Sequence, residues 1–304
     1  MRFLNPKTDF AFKRIFGSSE SGDILISFLN AILTLESPHR MSEVEILDPY
    51  LAPKIKGMKD TYLDVRAKDE SGKSYIIEMQ VLNVEGFEQR VLYNACKSYA
   101  GQLESGEGYQ NLTDVIAITI TDFVMFKELN DVVNSFKLRA ENGHVYHDDL
   151  ELIFAELPKF NKHEDELKSD LDRWFYFLKS AASLEAVPKS MADDAAIQHA
   201  FRIANKAGLS REELDDQEHR EIFIQDQRGA LSLAKRQGLE EGMEKGREEG
   251  LKVGLEKGRE EGAFQAKEKI ACSLLNTLDN QVIAGATGLS AAHIQTLRLK
   301  NSKH

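Results

Sequence analysis

Two acidic residues and one amide, Asp64, Glu78 and Gln80, have the residue types and spacing best suited to chemistry. Glu78 and Gln80 lie in a stretch that alternates apolar and polar residues, the pattern of a half-buried strand. Side chains two residues apart on a strand share a face, so these two are expected to point the same way. Asp64 lies in a second alternating stretch, joined to the first by a polar, Gly-containing connection over residues 68–73. Pairing of the two strands as a hairpin would bring Asp64 beside Glu78 and Gln80.

This predicted arrangement of two carboxylates and an amide suits a hard cation. Mg²⁺ prefers oxygen ligands and usually takes one or two protein carboxylates, which leaves room for water and phosphate oxygens. The pattern therefore predicts a phosphodiester-cleaving site with Asp64 and Glu78 as metal ligands. The same acids would also suit the solvated face of an ordinary antiparallel pair. The apolar residues Ile76, Ile77 and Met79 favour a site, because a central strand seldom carries unused polar groups.

The elements that must position these residues follow from periodicity. The predicted order is helix, three strands, helix and strand, over residues 9–34, 43–51, 61–67, 74–81, 86–104 and 114–120. The last of these is short, apolar and β-branched, which is typical of a strand buried on both faces. Further strands are predicted near residues 134–138 and 150–157, and the pattern is helical from residue 165 onwards. The sequence thus predicts an α/β core followed by a mostly helical C-terminal region.

Several motifs resemble one family of nucleases. Asp64, followed by Glu78-Met79-Gln80 on the next strand, resembles the PD-(D/E)XK signature, with Gln in place of the final Lys. The segments 5–17 and 156–160 and the Gly-rich tail are similar to one branch of that superfamily, the recombination-promoting nuclease and transposase family. The resemblance implies a restriction-endonuclease-like core over residues 1–160. It also implies a metal-dependent DNA endonuclease of the bacterial cytoplasm, linked to DNA recombination or mobile elements.

The resemblance also implies roles for single residues. Asp64 and Glu78 would hold Mg²⁺ or another divalent cation such as Mn²⁺ or Ca²⁺. Gln80 would hold the attacking water or a neighbouring group, but it cannot supply the positive charge of the usual Lys. Asp9 lies where the superfamily often places an acidic residue that reaches towards the metal. Thr8 and Asp9 suit a helix N-terminus equally well, because they precede an apolar-periodic run.

The charge of the chain constrains how it would bind DNA. A formal net charge of −11 argues against a general polyanion binder, because affinity for DNA depends on neutralising phosphates. A DNA enzyme of this composition needs a local basic patch. Candidate residues for that patch, which would equally suit solvated surface, are Lys7, Lys13, Arg14, Lys54, Lys56, Lys59 and Arg90.

Other features argue against several classes of protein. No apolar run has the length of a membrane span and no signal peptide opens the chain, so a cytoplasmic location is expected. Cys96 and Cys272 lie far apart without the neighbours of a zinc site, and a reducing compartment suits them. The eight histidines form no ligand pair, and no phosphate-binding loop motif occurs.

Glycine recurs at every fourth position from 238 to 262, among Glu, Lys and Arg. The charged residues favour a helix, whereas each interior Gly costs about 1 kcal/mol relative to Ala. We predict a helical arm over residues 236–272 that is weakly stable alone and that makes a homo-oligomer by close helix approach. A charged linker is the alternative.

The C-terminal end, residues 273–304, resembles a helix-turn-helix. Ala284, Gly288 and Ile294 stand where such motifs need a small residue, a turn and a packing aliphatic. Helical hairpins of this kind are also common in proteins that do not bind DNA. The predicted chain thus has four parts, namely a core (1–160), a helical region (161–235), the arm and this end.

Two further functions remain open beside the endonuclease. The first is a catalytically weak nuclease fold that binds DNA or a partner and oligomerises through its C-terminal arm, which Gln80 and the acidic charge favour. The second is a structural role, in which the arm assembles oligomers and the core only docks.

Overall fold

A six-stranded mixed sheet is the central element of the computed structural model, which describes residues 2–51 and 59–301. The strands of the described ranges are β1 (Val44–Leu47), β2 (Tyr50–Leu51), β3 (Thr61–Tyr62), β4 (Val65–Asp69), β5 (Ser74–Gln80), β6 (Val115–Thr121), β7 (Val133–Arg139) and β8 (Val145–Glu156). Their order across the sheet is β1-β4-β5-β6-β8-β7, and β2 and β3 form a separate ribbon. Strands β5, β6 and β8 are parallel, and the outer pairs are antiparallel.

Helices cover the sheet and make up most of the C-terminal region. Within the described ranges they are α1 (Asp9–Phe16), α2 (Gly22–Ile32), α3 (Phe87–Ala100), α4 (Asp170–Ser180), α5 (Ala195–Ile203), α6 (Arg211–Leu274), α7 (Asn280–Thr287) and α8 (Ala291–Asn301). The predicted α/β core with a helical C-terminal region is therefore confirmed. No helix of the described segments is long and apolar enough to cross a membrane.

Two predicted strands are each divided in the structure. The stretch 43–51 becomes β1 and β2, because the Asp48 carboxylate accepts the N–H of Tyr50 at 2.9 Å and turns the chain. The stretch 61–67 becomes β3 and β4, with Asp64 at the bend between them. β1 pairs with β4 in the main sheet, and β2 pairs with β3 in the ribbon. The two predicted strands therefore each contribute to both sheets.

The helix predicted over residues 9–34 is also two helices. The first ends at Gly17, whose N–H donates to the carbonyl oxygen of Lys13 at 2.8 Å. A Cβ at position 17 would lie 2.9 Å from that same oxygen, so a larger residue would force this helix end to shift. The break lets α1 and α2 pack separately against the sheet.

One hydrophobic core joins the sheet to helices from both ends of the first unit. Phe16 of α1 and Phe28 of α2 contact Trp174 of α4 with ring centroids 5.7 and 5.9 Å apart. Phe201 of α5 packs on Phe177 of α4 in the same cluster. The chain divides into compact units over residues 1–228 and 229–304, and the boundary predicted near residue 160 falls inside the first.

The second unit has a small core of its own. Leu275, Ile283 and Ile294 are buried where the end of α6 meets α7 and α8, and Gly288 between α7 and α8 has a φ of +70°. Arg298 donates to the carbonyl oxygens of Leu275 and Leu278 and to Asn280. This basic residue of the helix-turn-helix-like end thus holds the hairpin together.

A buried ion pair closes the end of β8. Glu156 is fully buried, and its carboxylate accepts the N–H groups of Met125 and Phe126. Lys159 contacts this carboxylate and donates to the carbonyl oxygens of Phe126 and Leu129 at 2.9 and 2.7 Å. The segment 156–160, singled out by its resemblance, therefore anchors the loop between β6 and β7.

We predict that Glu156→Gln destabilises the first unit by about 3 kcal/mol, because it leaves a buried ammonium group without its counter-charge. Urea unfolding followed by the fluorescence of Trp174, the one tryptophan of the sequence, measures this loss. Glu45→Gln, at an exposed position of β1, is the matched control and should stay within about 0.5 kcal/mol. A loss below about 1 kcal/mol for Glu156→Gln would contradict the prediction.

Candidate active site

Asp64 lies where the chain leaves the β2–β3 ribbon and enters the main sheet. Its Oδ2 atom accepts the N–H of Met79 on β5 at 2.8 Å, and its side chain is 17% exposed. In the register of β4 and β5, Val65 pairs with Ile77, so the preceding residue lies opposite Glu78. The hairpin proposed from sequence therefore forms, and it places Asp64 beside β5.

Glu78 and Gln80 both face α3. Asn94 donates to Oε1 of Glu78 at 2.9 Å, and Arg90 donates to Oε1 of Gln80 at 2.7 Å. The Gln80 amide also donates to the carbonyl oxygen of Leu82 at 2.6 Å. Because Arg90 and Asn94 are four residues apart on one helix, a single helix face orients both side chains.

Asp9 and Lys13 bring α1 into the same site. The hydroxyl of Thr8 accepts the N–H of Ala11, so Thr8 caps the helix and Asp9 lies in its first turn. The Lys13 ammonium lies 2.6 Å from Asp9 Oδ1 and 3.5 Å from Asp64 Oδ1. Arg220 of α6 lies 3.1 Å from the other oxygen of Asp9. These ion pairs form a chain from α6 to Asp64.

The acids of the site differ in how their surroundings affect ionisation. Burial raises the pKa of Asp64 to about 7, and the nearby Asp9 and Glu78 add to this, although the Met79 N–H and Lys13 oppose it. Burial also raises the pKa of Glu78, against the opposing effects of Arg90, Asn94 and Lys13. Burial disfavours ionised Asp9 too, but hydrogen bonding and charge from Lys13, with Arg220, hold its pKa below the ordinary value.

These side chains line one cleft of about 1150 Å³. The other charged or aromatic residues that line it include Lys7, Lys59, Tyr62, Glu85, Tyr93, Arg220 and Phe223. Tyr93 is 37% exposed at this surface. The cleft therefore combines the acidic pair with cations from four separate parts of the chain.

The predicted basic patch is only partly found at this cleft. Lys7, Lys13, Lys59 and Arg90 line it. Arg14 instead pairs with Glu213 at 2.6 Å. Lys54 and Lys56, also predicted to contact DNA, lie outside the described residues.

Sequence reasoning did not find Asn94 or Arg220. Asn94 is one helical turn beyond Arg90 on the α3 face that meets β5, and that spacing was a usable signal. Arg220 gave no such signal, because it is 211 positions from its partner Asp9. Only the packing of α6 on α1 brings them together.

The donor atoms of Asp64 and Glu78 fit a hard divalent cation. Both offer carboxylate oxygens, and the hydrogen bonds described above occupy Oδ2 of Asp64 and Oε1 of Glu78. In the ranges that the structure covers, no three Asp, Glu, His or Cys side chains gather as a complete ligand cluster. An ion held here would therefore rely on the acidic pair, with water or substrate oxygens completing its shell.

The raised pKa of Asp64 predicts a pH-dependent stability in the absence of metal. The unfolded carboxyl ionises near its ordinary value of 3.8, whereas the folded one keeps its proton until about pH 7. Between these values the folded state binds the extra proton, so its stability falls as pH rises, by at most about 4 kcal/mol. Urea unfolding in EDTA at pH 4.5 and 7.5 should show the fall relative to Asp64→Asn.

Asp148→Asn is the control for this measurement, since the Asp148 side chain is 62% exposed. It should change stability equally at both pH values. An Asp64→Asn variant that follows the wild type at both pH values would show that burial does not affect Asp64 ionisation.

Comparison with known proteins identifies the family. A family model described as PD-(D/E)XK nuclease family transposase matches residues 6–234, about three quarters of the chain. No curated protein and no solved structure gave a significant match. The matched range contains all the cleft-lining residues named above and confirms the resemblance inferred from Asp64, Glu78 and Gln80. The chain therefore belongs to the PD-(D/E)XK nuclease family transposases.

Proposed function

We propose that this protein is a metal-dependent DNA endonuclease that hydrolyses phosphodiester bonds. The observation that carries the proposal is the meeting of Asp64 and Glu78 on one wall of the cleft, with their oxygens turned to a space lined by Lys13 and Arg90. Two carboxylates surrounded by cations suit a ligand that brings both a metal and a phosphate. The family description as a transposase supports a link to DNA recombination or mobile elements.

Asp64 and Glu78 would hold the cation, and Asp9 would assist from α1 by holding Lys13 and Arg220 in place. The cation held there, Mg²⁺ or in its place Mn²⁺ or Ca²⁺, would lower the pKa of water and offset phosphate charge. The Gln80 amide, oriented by Arg90, lies on the same strand face and would hold water or a phosphate oxygen. Gln80 brings no charge, so positive charge in the cleft must come from other side chains.

Local cations reconcile DNA binding with the net charge of −11. Lys13, Lys59 and Arg90 line the cleft, and each can contact a phosphate. Much of the acidic charge lies elsewhere, including the Glu-rich stretch of α6. The free and exposed Cys96 and Cys272 suit the reducing cytoplasm in which we expect the enzyme to act.

We predict that Glu78→Ala lowers plasmid cleavage by about 100-fold or more while the protein stays folded, because the change removes a metal ligand at the cleft surface. Gln80→Lys should keep or raise activity, because it adds positive charge beside the phosphate. Nicking of supercoiled plasmid with Mg²⁺, Mn²⁺, Ca²⁺ or EDTA provides the measurement.

Glu85→Ala is the matched control, because Glu85 lines the same cleft but no role is assigned to it. Wild-type cleavage by Glu78→Ala at equal metal concentration would show that the site is assigned wrongly. Wild-type protein that binds DNA and nicks none under any metal would favour the catalytically weak binding protein, for which the occupied Gln80 amide is the structural support.

We also propose that the protein forms homo-oligomers through residues 236–272. This part of α6 exposes Leu239, Met243, Leu251 and Leu255, each at least 60% exposed, which is unusual for helix surface without a partner. A Cβ added at any Gly from 238 to 262 meets nothing within 4 Å. The Gly row is thus open surface where a second helix can approach closely.

We predict that replacing Gly246, Gly250 and Gly254 with Ala raises helix stability by about 1 kcal/mol per site, because each change removes backbone entropy from the unfolded chain. The same variant should self-associate more weakly, because three methyl groups separate the helices. Circular dichroism and sedimentation velocity measure the two effects. A triple Ala variant at Glu248, Lys252 and Glu256 is the control, and unchanged or tighter association of the Gly variant would mean that the repeat is a linker.

A further inference from the structure

The first turns of α6 dock on α1 through one helix face. Glu213 pairs with Arg14 at 2.6 Å, and Gln217 accepts a hydrogen bond from Thr8 at 3.1 Å. Arg220 then reaches Asp9 at 3.1 Å. Residues 213, 217 and 220 are spaced by four and three positions, so they lie on the same side of the helix. Gln217 is only 2% exposed, which shows that this docking surface is closed.

Arg220 stands at the point where this docked face opens into the cleft. It lines the cleft together with Asp64, Glu78 and Phe223, and its side chain is 46% exposed. A guanidinium group has five N–H donors in a planar fork. The contact with Asp9 uses its Nη1 atom, so the outer part of the fork remains available to a ligand in the cleft.

The charge balance of the cleft indicates a role for Arg220 in binding an anion. The signature position that normally holds Lys is the neutral Gln80. Five carboxylates line the cleft, those of Asp9, Asp60, Asp64, Glu78 and Glu85. A phosphate entering the cleft therefore needs cations from outside the two catalytic strands. Arginine binds phosphate in a bidentate manner and stays ionised at all relevant pH values.

We propose that Arg220 is a phosphate-binding residue of this cleft, which α6 delivers and which supplies positive charge that Gln80 does not. The ligand is the phosphodiester backbone of a nucleic acid. The inference rests on the proposed function, because that function places the scissile phosphate in this cleft. Asp9 then acts as a positioning residue, since its two oxygens hold Lys13 and Arg220 on opposite sides.

The test measures the salt dependence of DNA binding by Arg220→Gln, Arg220→Lys and Arg228→Gln. All three variants are made in a Glu78→Gln background, so that a fluorescent duplex is bound without being cut. Arg228 is the matched control, because it lies on the same helix and ties it to the core by pairing with Asp122, but it is not among the cleft-lining residues.

The affinity for DNA falls as salt rises, and loss of one phosphate contact reduces the size of this slope, log affinity against log salt, by about one. We expect this decrease for Arg220→Gln and an unchanged slope for Arg220→Lys and Arg228→Gln. With Glu78 restored, Arg220→Gln should lower kcat/KM on plasmid by about 10-fold or more. Arg228→Gln should lower kcat/KM by less than about 5-fold. Circular dichroism confirms that the variants keep their helices.

The outcomes separate this inference from the proposed function. Equal slopes for Arg220→Gln and the Glu78→Gln parent would overturn the inference, and Arg220 would then only dock the helix. Failure of the wild type to bind duplex would overturn it as well. If wild-type protein binds duplex but never cleaves it, the endonuclease proposal fails, while a lower slope for Arg220→Gln still establishes the phosphate contact.

Discussion

The hydrogen bond from the Met79 N–H to the Asp64 carboxylate is the interaction on which the site depends. It joins the bend before β4 to β5 and fixes one acid beside another, in a place where burial disfavours two negative charges. Packing of the apolar neighbours of Glu78 on β5 in the core offsets the cost of this buried charge. The acidic pair is thus held beside a packed strand, β5, which carries no cation of its own.

The elements around the sheet supply that missing positive charge in part. Lys13 from α1 contacts Asp64, while Arg90 and Asn94 from α3 orient Gln80 and Glu78. Arg220 from α6 completes the network through Asp9. Three helices thus bring Lys13, Arg90 and Arg220 to the cleft, while Glu78 and Gln80 come from a strand. These helices give a chain of strongly acidic composition local positive charge in this cleft.

The two units of the chain differ in how much apolar surface they bury. The first unit buries large aromatic side chains in a continuous core and holds its loops with buried polar pairs such as Glu156 and Lys159. The second unit has only a small apolar cluster around Ile283, and the Gly-repeat part of α6 exposes its side chains. Stability in the first unit comes from packing, whereas the Gly-repeat part of the second unit has little packing within one chain and carries the helix cost of its glycines.

The sequence by itself determined the order of the core elements, the acidic pair and the shared face of Glu78 and Gln80, because these follow from local periodicity and from a signature within one hairpin. It did not determine that Asp64 lies at a bend, since the split of two strands between a ribbon and a sheet depends on pairing between distant segments. Tertiary structure alone placed Arg220 against Asp9, and the Glu156 carboxylate against the N–H groups of Met125 and Phe126. Contacts of that kind depend on which surfaces pack together, and no spacing along the chain encodes them.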